Sequence, residues 1–520
     1  MTKKIHAHIN TNKMVLKKSL TALGIAFFIL SMTGCAEREK ENILYAELDG
    51  SRSFLILSTE KASVEYKEAF KESLKLHPDA RTDIFDPEDL SALEPELKKI
   101  APYYVQVFIL PRELDVNFGW EWLTMCAHLD EDPFVDTRTG FITGASPKAA
   151  ADFVKRLSKA VSGELLIPAK AIDNLGPNMQ AGENAFHKFS HSSFVPVLGK
   201  FMKLESLSHG TGGISQKNLG SMKGAGLLHF GGHGHPEQID SGLTAEQVPE
   251  TELSPCVCFS GACYTGVVGR YFEMFSPDGT IIEKEVEKDG SFCLNLLQNN
   301  VIGYLASLHP DHGIPVYQEM EYMAVKGATL GEAIKYTYDG VVLGNNGCLP
   351  DFENLSNGTA SPQWTPTEIM LKGTASRVLF GDPSLRLLKP LPVEKPLEVT
   401  IDREPEKLVI GAIMNNPEYK AIFTDTYHDY LAFRKNMFND RVLFFLKLPS
   451  GLENPSSVRV LGAANGPTRI KYRLHAWSVE KDGGEYFLHV QVDLASQGFM
   501  ESDWRNAGAA VGIEVCQYHP

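Results

Sequence analysis

The 520-residue chain has no basic cluster beyond its N-terminal segment: 50 Lys and Arg stand against 65 Asp and Glu, for a formal charge of −15. That balance argues against a nucleic-acid partner, because neutralising phosphates needs a basic face. A membrane-spanning run is also missing. The apolar stretch at residues 20–32 falls short of the roughly 20 residues needed to cross the hydrocarbon. Neither HExxH, HxHxDH nor paired CxxC occurs, which removes the familiar zinc spacings. A hydrophobic content of 43% with 22% charged residues is ordinary for folded domains, so disorder is not the theme.

What is present is concentrated in two short blocks. Gly226-Leu227-Leu228-His229-Phe230-Gly231-Gly232-His233-Gly234 and Pro255-Cys256-Val257-Cys258-Phe259-Ser260-Gly261-Ala262-Cys263 each read as a buried parallel strand that breaks into small residues where His233 or Cys263 appears. In an open α/β sheet the ligand crevice lies beyond the carboxyl ends of the strands. Two neighbouring strands ending in His and Cys would therefore deliver a thiol nucleophile and its base to one mouth. Small residues there let backbone approach a substrate and offer amides to a developing oxyanion.

The order of these blocks resembles the caspase-like clan of cysteine peptidases, in which an apolar strand ending in His-Gly is followed about thirty residues later by one ending in Ala-Cys. Residues 296–308 are similar to the strand that follows the nucleophile in gingipains. Phe380-Gly381-Asp382-Pro383-Ser384-Leu385 resembles the end of their catalytic domain. The resemblance implies a caspase-like, mostly parallel sheet flanked by helices in two subdomains, at 41–163 and 164–390. It implies a cysteine endopeptidase acting on protein or peptide substrates without a cofactor. Cys263 would be the nucleophile and His233 its base, and the backbone amides of Gly234 and Cys263 would hold the oxyanion. His235, His309 and Asp311 are the candidate substrate-pocket residues. Asp311 would suit a basic side chain on the substrate, and His309 stands where gingipains commonly carry Trp. Asp136 is a candidate third residue to orient the imidazole, which the clan does not require.

Strand and helix alternate through the first part. Residues 54–57 and 105–110 read as strands, Tyr66, Phe70 and Leu74 as one helix face, and 149–161 as a helix. Residues 264–274 read as helix or loop, 277–290 as a surface hairpin, 317–326 and 330–338 as helices, and 345–366 as a long loop. After Pro390, Pro392 and Pro396, seven alternating runs predict a β-sandwich at 391–520, the place where gingipains carry an immunoglobulin-like module.

At the N-terminus, Lys17 and Lys18 precede the apolar stretch, which ends at Thr33-Gly34-Cys35. This resembles a bacterial lipoprotein signal, residues 1–35, and implies lipidation of Cys35 and a lipid-anchored place in the cell envelope, with the outer membrane or cell surface favoured. Of eight cysteines, seven remain, so at least one thiol stays free in an oxidising compartment. Cys256, Cys258, Cys293 and Cys348 read as small buried residues, and His229 as a core or rim histidine.

Two rival readings stand beside the peptidase. His229, His233, His235, Cys256, Cys258 and Cys263 could make the chain a zinc hydrolase, although Gly231 and Gly232 would end the strand before three histidines shared a face. A non-catalytic adhesin or scaffold of the same shape is the other. Oligomeric state is not legible in the chain.

Overall fold

The apolar runs become ten strands of one sheet: β1 Phe54–Thr59, β2 Arg81–Phe85, β3 Tyr104–Phe108, β4 Arg138–Ile142, β5 Lys170–Leu175, β6 Lys203–Ser208, β7 Leu227–Phe230, β8 Cys256–Ser260, β9 Val301–Ser307 and β10 Arg377–Gly381. The structure, a computed structural model, describes residues 43–175, 194–208, 216–239, 242–273, 282–311, 315–344, 372–390, 399–403, 406–413, 422–423, 441–464, 471–495 and 510–517. The lipidation candidate Cys35, Cys348 and the expected loop at 345–366 lie outside the described residues.

The spatial order is β2-β1-β3-β4-β10-β9-β8-β7-β5-β6. Pairing is parallel throughout except between β9 and β10, which run antiparallel from Gly303↔Gly381 to Ser307↔Arg377. The sheet is therefore two parallel five-stranded halves pointing in opposite directions. One half ends in β10, whose bridge to β4 is a single residue pair, Phe380↔Phe141. Strands from both sides of residue 163 enter this one sheet.

Helices cover the sheet, some by a one-sided apolar stripe and others buried all round. Helix α1 is Lys67–Leu76, α2 Val116–Cys126, α3 Pro147–Val161, α4 Phe292–Gln298, α5 Pro315–Glu321 and α6 Leu330–Gly344. In α3 the buried set is Ala150, Ala151, Phe153, Val154, Leu157 and Ala160, a 3.6-residue stripe. Oxygen-bearing side chains start three of these helices: Asp115 accepts from the Phe118 amide, Ser146 from Ala149 and Ser291 from Leu294, each satisfying a donor that a first turn leaves open. Alternation along the strands separates two cores. Leu228, Phe230, Cys256 and Cys258 enter one, while Leu227, Val257 and Phe259 enter the other. No helix among the described residues is long and apolar enough to cross a membrane.

Three segments differ from the sequence expectation. Of the segment 264–274, the described residues 264–273 form neither helix nor simple loop: a turn leads into the strand Arg270–Glu273, paired antiparallel with Ile282–Glu285. A π-helical turn, Tyr322–Lys326, follows α5. In the C-terminal region eight strands form two four-stranded antiparallel sheets, the addition being Ile422–Phe423, too short to leave an alternating pattern. Buried residues occur on both sheets, Val458, Ile513 and Val515 on one and Leu446, Leu488, Val490 and Val492 on the other.

The C-terminal strands are tied to the α/β part by buried charge. Arg138 opens β4 with no exposed surface, sends both terminal nitrogens to Asp482 and lies over the Tyr103 ring at 3.8 Å. Lys335 of α6 donates to Asp339 at 2.5 Å and to Glu480, and Glu480 also meets His489 at 2.7 Å. Removing one member of such a cluster strands the others without water. Lys335→Met is expected to cost about 3–5 kcal/mol, read as a lowered urea midpoint of the full chain.

Candidate active site

Strands β7 and β8 pair in parallel from Leu227↔Val257 to Phe230↔Ser260, and β8 pairs in parallel with β9. Their carboxyl ends therefore open at one edge, where the loops carrying His233, Cys263 and residues 308–311 emerge. Because β10 runs the other way, its first residue, Arg377, arrives at the same edge opposite Ser307.

After β7 the backbone turns at Gly232, whose φ of +104° is a conformation that side chains resist. His233 follows, exposed. Gly234 and His235 then fold back on Gln238 and Ile239. Gly234 lies directly on the backbone of Cys263: a Cβ there would stand 2.2 Å from the Cys263 carbonyl oxygen and 3.0 Å from its nitrogen. The residue next to His233 is thus in contact with the Cys263 peptide, and the two residues expected to supply oxyanion amides are neighbours.

The turn that presents Cys263 is stitched from within. Ser260 Oγ meets Thr265 Oγ1 at 2.7 Å and accepts from the Ala262 amide, while Thr265 Oγ1 donates to the Ala262 carbonyl at 2.9 Å. The Tyr304 hydroxyl donates to the Thr265 carbonyl at 3.1 Å. Tyr264 is held at φ +59°, a left-handed position rare for a bulky residue and typical of strained functional turns. The turn is tied to the end of β9 by Gly266 N–H to Ser307 O at 2.8 Å and Tyr264 N–H to His309 O at 3.2 Å.

Cys263 is half-buried, and its sulfur lies against the backbone of Asp311. The Asp311 amide donates to Sγ at 3.2 Å, and Sγ stands 3.3 Å from the Asp311 carbonyl, which can accept the thiol proton. The amide favours the thiolate, the reactive form, and the carbonyl favours the thiol, so Asp311 meets the sulfur in both states. Cys126, Cys258 and Cys293 are fully buried instead. Burial pushes the Cys126 thiol up to about 12 and those of Cys258 and Cys293 well above the ordinary range.

The pocket expectations need correction. Asp311 does not present its acid to a substrate: the carboxylate is fully buried and taken by Arg377, so it cannot receive a basic side chain. His309 is 1% exposed, its ring between Trp120 at 5.4 Å and Tyr264 at 5.7 Å, which makes it packing beneath the turn. His235 does line the open surface, 42% exposed, with Glu237 at 4.0 Å and the Tyr271 ring at 6.1 Å. Asp136 is engaged elsewhere: its carboxylate accepts from the Leu129 amide, and burial, then Asp130 and Asp132, push its pKa up to about 8.

His229 is a core residue, fully buried, its Nδ1 2.7 Å from the buried Asp173 carboxylate. It faces the Tyr317 ring, on the side of the sheet away from Cys256 and Cys258. His229 is therefore separated by the sheet from Cys256 and Cys258, and among the described residues no group of three His, Cys, Asp or Glu could hold a metal ion.

Several supporting residues escaped sequence reasoning. Arg377 precedes the buried run Val378-Leu379-Phe380, and Glu319 lies in a helix otherwise read only by spacing; an isolated charge beside an apolar strand was the available signal. The Phe-Gly-Asp-Pro-Ser motif proves structural. Asp382 accepts from the Ser384 amide at 2.9 Å and hydroxyl at 2.7 Å, and meets His77 Nε2 at 2.6 Å.

No family model matches the chain, and no curated protein matches it in sequence. Among solved structures it is similar to the complex of Porphyromonas gingivalis RgpB pro- and mature domains, with 14% identity over 69% of this chain and 86% of that one and a TM-score of 0.43. It is similar to the Arg-specific cysteine proteinase gingipain R at 14% identity, 72% and 85% coverage and a TM-score of 0.42. A further protease structure shares 10% identity over 89% of this chain and 97% of its own, with a TM-score of 0.44. At such values the likeness is one of general chain path, and the chemistry rests on this chain's own residues.

The Gly234 contact yields a direct expectation. Gly234→Ala must push the His233 loop off Cys263, and a displacement near 1 Å costs about 100-fold in rate; alkylating-probe labelling of Cys263 in the folded variant measures it.

Proposed function

We propose that the chain is a cysteine endopeptidase of caspase-like type in which Cys263 and His233 form a dyad. The observation that carries this reading is the seating of Gly234 on the Cys263 peptide, which sets the His233 loop beside a thiol presented by a strained turn. Supporting it are the amide of Asp311 directed at the sulfur and the open surface around His235.

In the reaction, the Cys263 S–H proton passes to the His233 imidazole as sulfur attacks the scissile carbonyl carbon. The oxyanion that forms is held by the amides of Gly234 and Cys263. The C–N bond then breaks, the imidazolium gives its proton to the leaving amine, and a thioester remains on Cys263. Water, deprotonated by His233, hydrolyses that ester and restores the thiol. In this reading residues 41–163 and 164–390 form the catalytic unit and 391–520 an appended β-module, and no cofactor takes part.

Incubation of the purified chain with peptide libraries and acyloxymethyl ketone probes tests the proposal. The wild type should cleave and be labelled. Cys263→Ala should lose both, and His233→Ala should lose about 10²–10⁴ in turnover. A wild type inert to Arg, Lys, Asn and Asp probes would favour the scaffold reading, and inhibition by phenanthroline with rescue by zinc the metal reading.

The lipobox-like Thr33-Gly34-Cys35 supports a second, separate proposal, that the protein is a lipid-anchored envelope protein. Labelled palmitate should enter the wild type and not Cys35→Ser.

A further inference from the structure

Beneath the Cys263 turn lies a cluster of full charges that the proposed reaction does not use. The Arg377 guanidinium and the carboxylates of Asp311 and Glu319 have no exposed side-chain surface. Glu319, on α5, takes Nε at 2.5 Å and Nη2 at 2.6 Å, a bidentate fork that fixes the plane of the guanidinium. The remaining nitrogen, Nη1, is thereby aimed at two acceptors at once: the Ser260 carbonyl at 2.7 Å and the Asp311 carboxylate.

Those two acceptors belong to the two segments that meet at the sulfur. Ser260 is the last residue of β8, three positions before Cys263. Asp311 supplies the amide 3.2 Å from Sγ. One nitrogen therefore spans the strand that carries the nucleophile and the loop that holds its sulfur. Burial opposes the guanidinium charge, yet Glu319 and Asp311 together carry its pKa above the ordinary value, so Arg377 stays protonated. A buried ion cluster of this kind is weak evidence for stability, since well-packed apolar residues of equal volume often stabilise as much. What apolar residues cannot do is fix the direction of the Asp311 amide.

We propose that Arg377, aimed by Glu319, is a positioning residue for the Cys263 sulfur, acting through Asp311. This rests on the reading of Cys263 as the nucleophile. In the resting thiol the S–H faces the Asp311 carbonyl. When the S–H bond breaks and the proton passes to His233, the electron pair stays on sulfur and the Asp311 amide remains as its donor. Releasing Asp311 from Arg377 removes that donor and leaves the thiolate less favoured.

The test is the pH profile of Cys263 alkylation by iodoacetamide, followed by mass spectrometry on the full chain, which needs no peptide substrate. In Arg377→Met the midpoint should rise by about one pH unit, and alkylation at neutral pH should fall about tenfold, the thiolate fraction lost with one unit. Asp311→Asn keeps the backbone amide and the volume but weakens the bridge, and should shift the profile in the same direction by less. Arg377→Lys keeps the charge without the fork, and the profile should stay displaced. If Arg377→Met does not fold, Asp311→Asn decides: a folded variant, judged by its melting temperature, whose profile overlays that of the wild type overturns the proposal. Should the wild type cleave no peptide while the profiles still shift, the clamp stands and the peptidase reading falls.

Discussion

Everything at the candidate site depends on one reversal of chain direction, the antiparallel pairing of β9 with β10. Without it, the first residue of β10 would lie at the far edge of the sheet. With it, Arg377 reaches the same edge as the carboxyl ends of β7, β8 and β9. Parallel strands alone would bring His233 and Cys263 together, as in any open α/β sheet. The reversed strand adds a charge from below, and that charge connects the strand leading to Cys263 to the loop over its sulfur.

The same strand joins the two half-sheets through β9, while on its other side it is bridged to its own half narrowly, through Phe380 and Phe141. Side-chain ties compensate around that seam. Asp382, just beyond β10, meets His77, which stacks on Phe54 at 3.6 Å. The Phe-Gly-Asp-Pro-Ser motif thereby fastens β10 to the outer strands of its own half of the sheet. Likewise Arg138, Lys335 and their carboxylates fasten the C-terminal strands to the α/β part. Buried charge in this protein marks places where separate pieces of chain must keep a fixed relation.

Much of the fold was legible in local pattern. The runs Phe54-Leu55-Ile56-Leu57 and Cys256-Val257-Cys258-Phe259 read as buried strands, and of Tyr66, Phe70 and Leu74, read as one helix face, Phe70 and Leu74 lie in α1 while Tyr66 caps its start. The strand at Arg270–Glu273 was not legible, because Arg-Tyr-Phe-Glu lacks alternation long enough to register and its pairing partner Ile282–Glu285 is exposed and charged. At the site, His233 and Cys263 stood out because each follows an apolar run at a cluster of small residues. Asp311 misled: a lone acid in a polar loop invites a surface role, and nothing local reveals an arginine 66 positions away.

By itself the sequence determined which residues could be reactive and which runs could be strands, because strand periodicity, glycine placement and side-chain chemistry act within a few positions. Only the tertiary structure decided which way β10 runs, that Gly234 rests on Cys263, and that the Asp311 acid is turned inward to Arg377. Those outcomes are set by pairing register and by the cost of leaving a charge unpaired away from water, both of which depend on residues far apart in the chain.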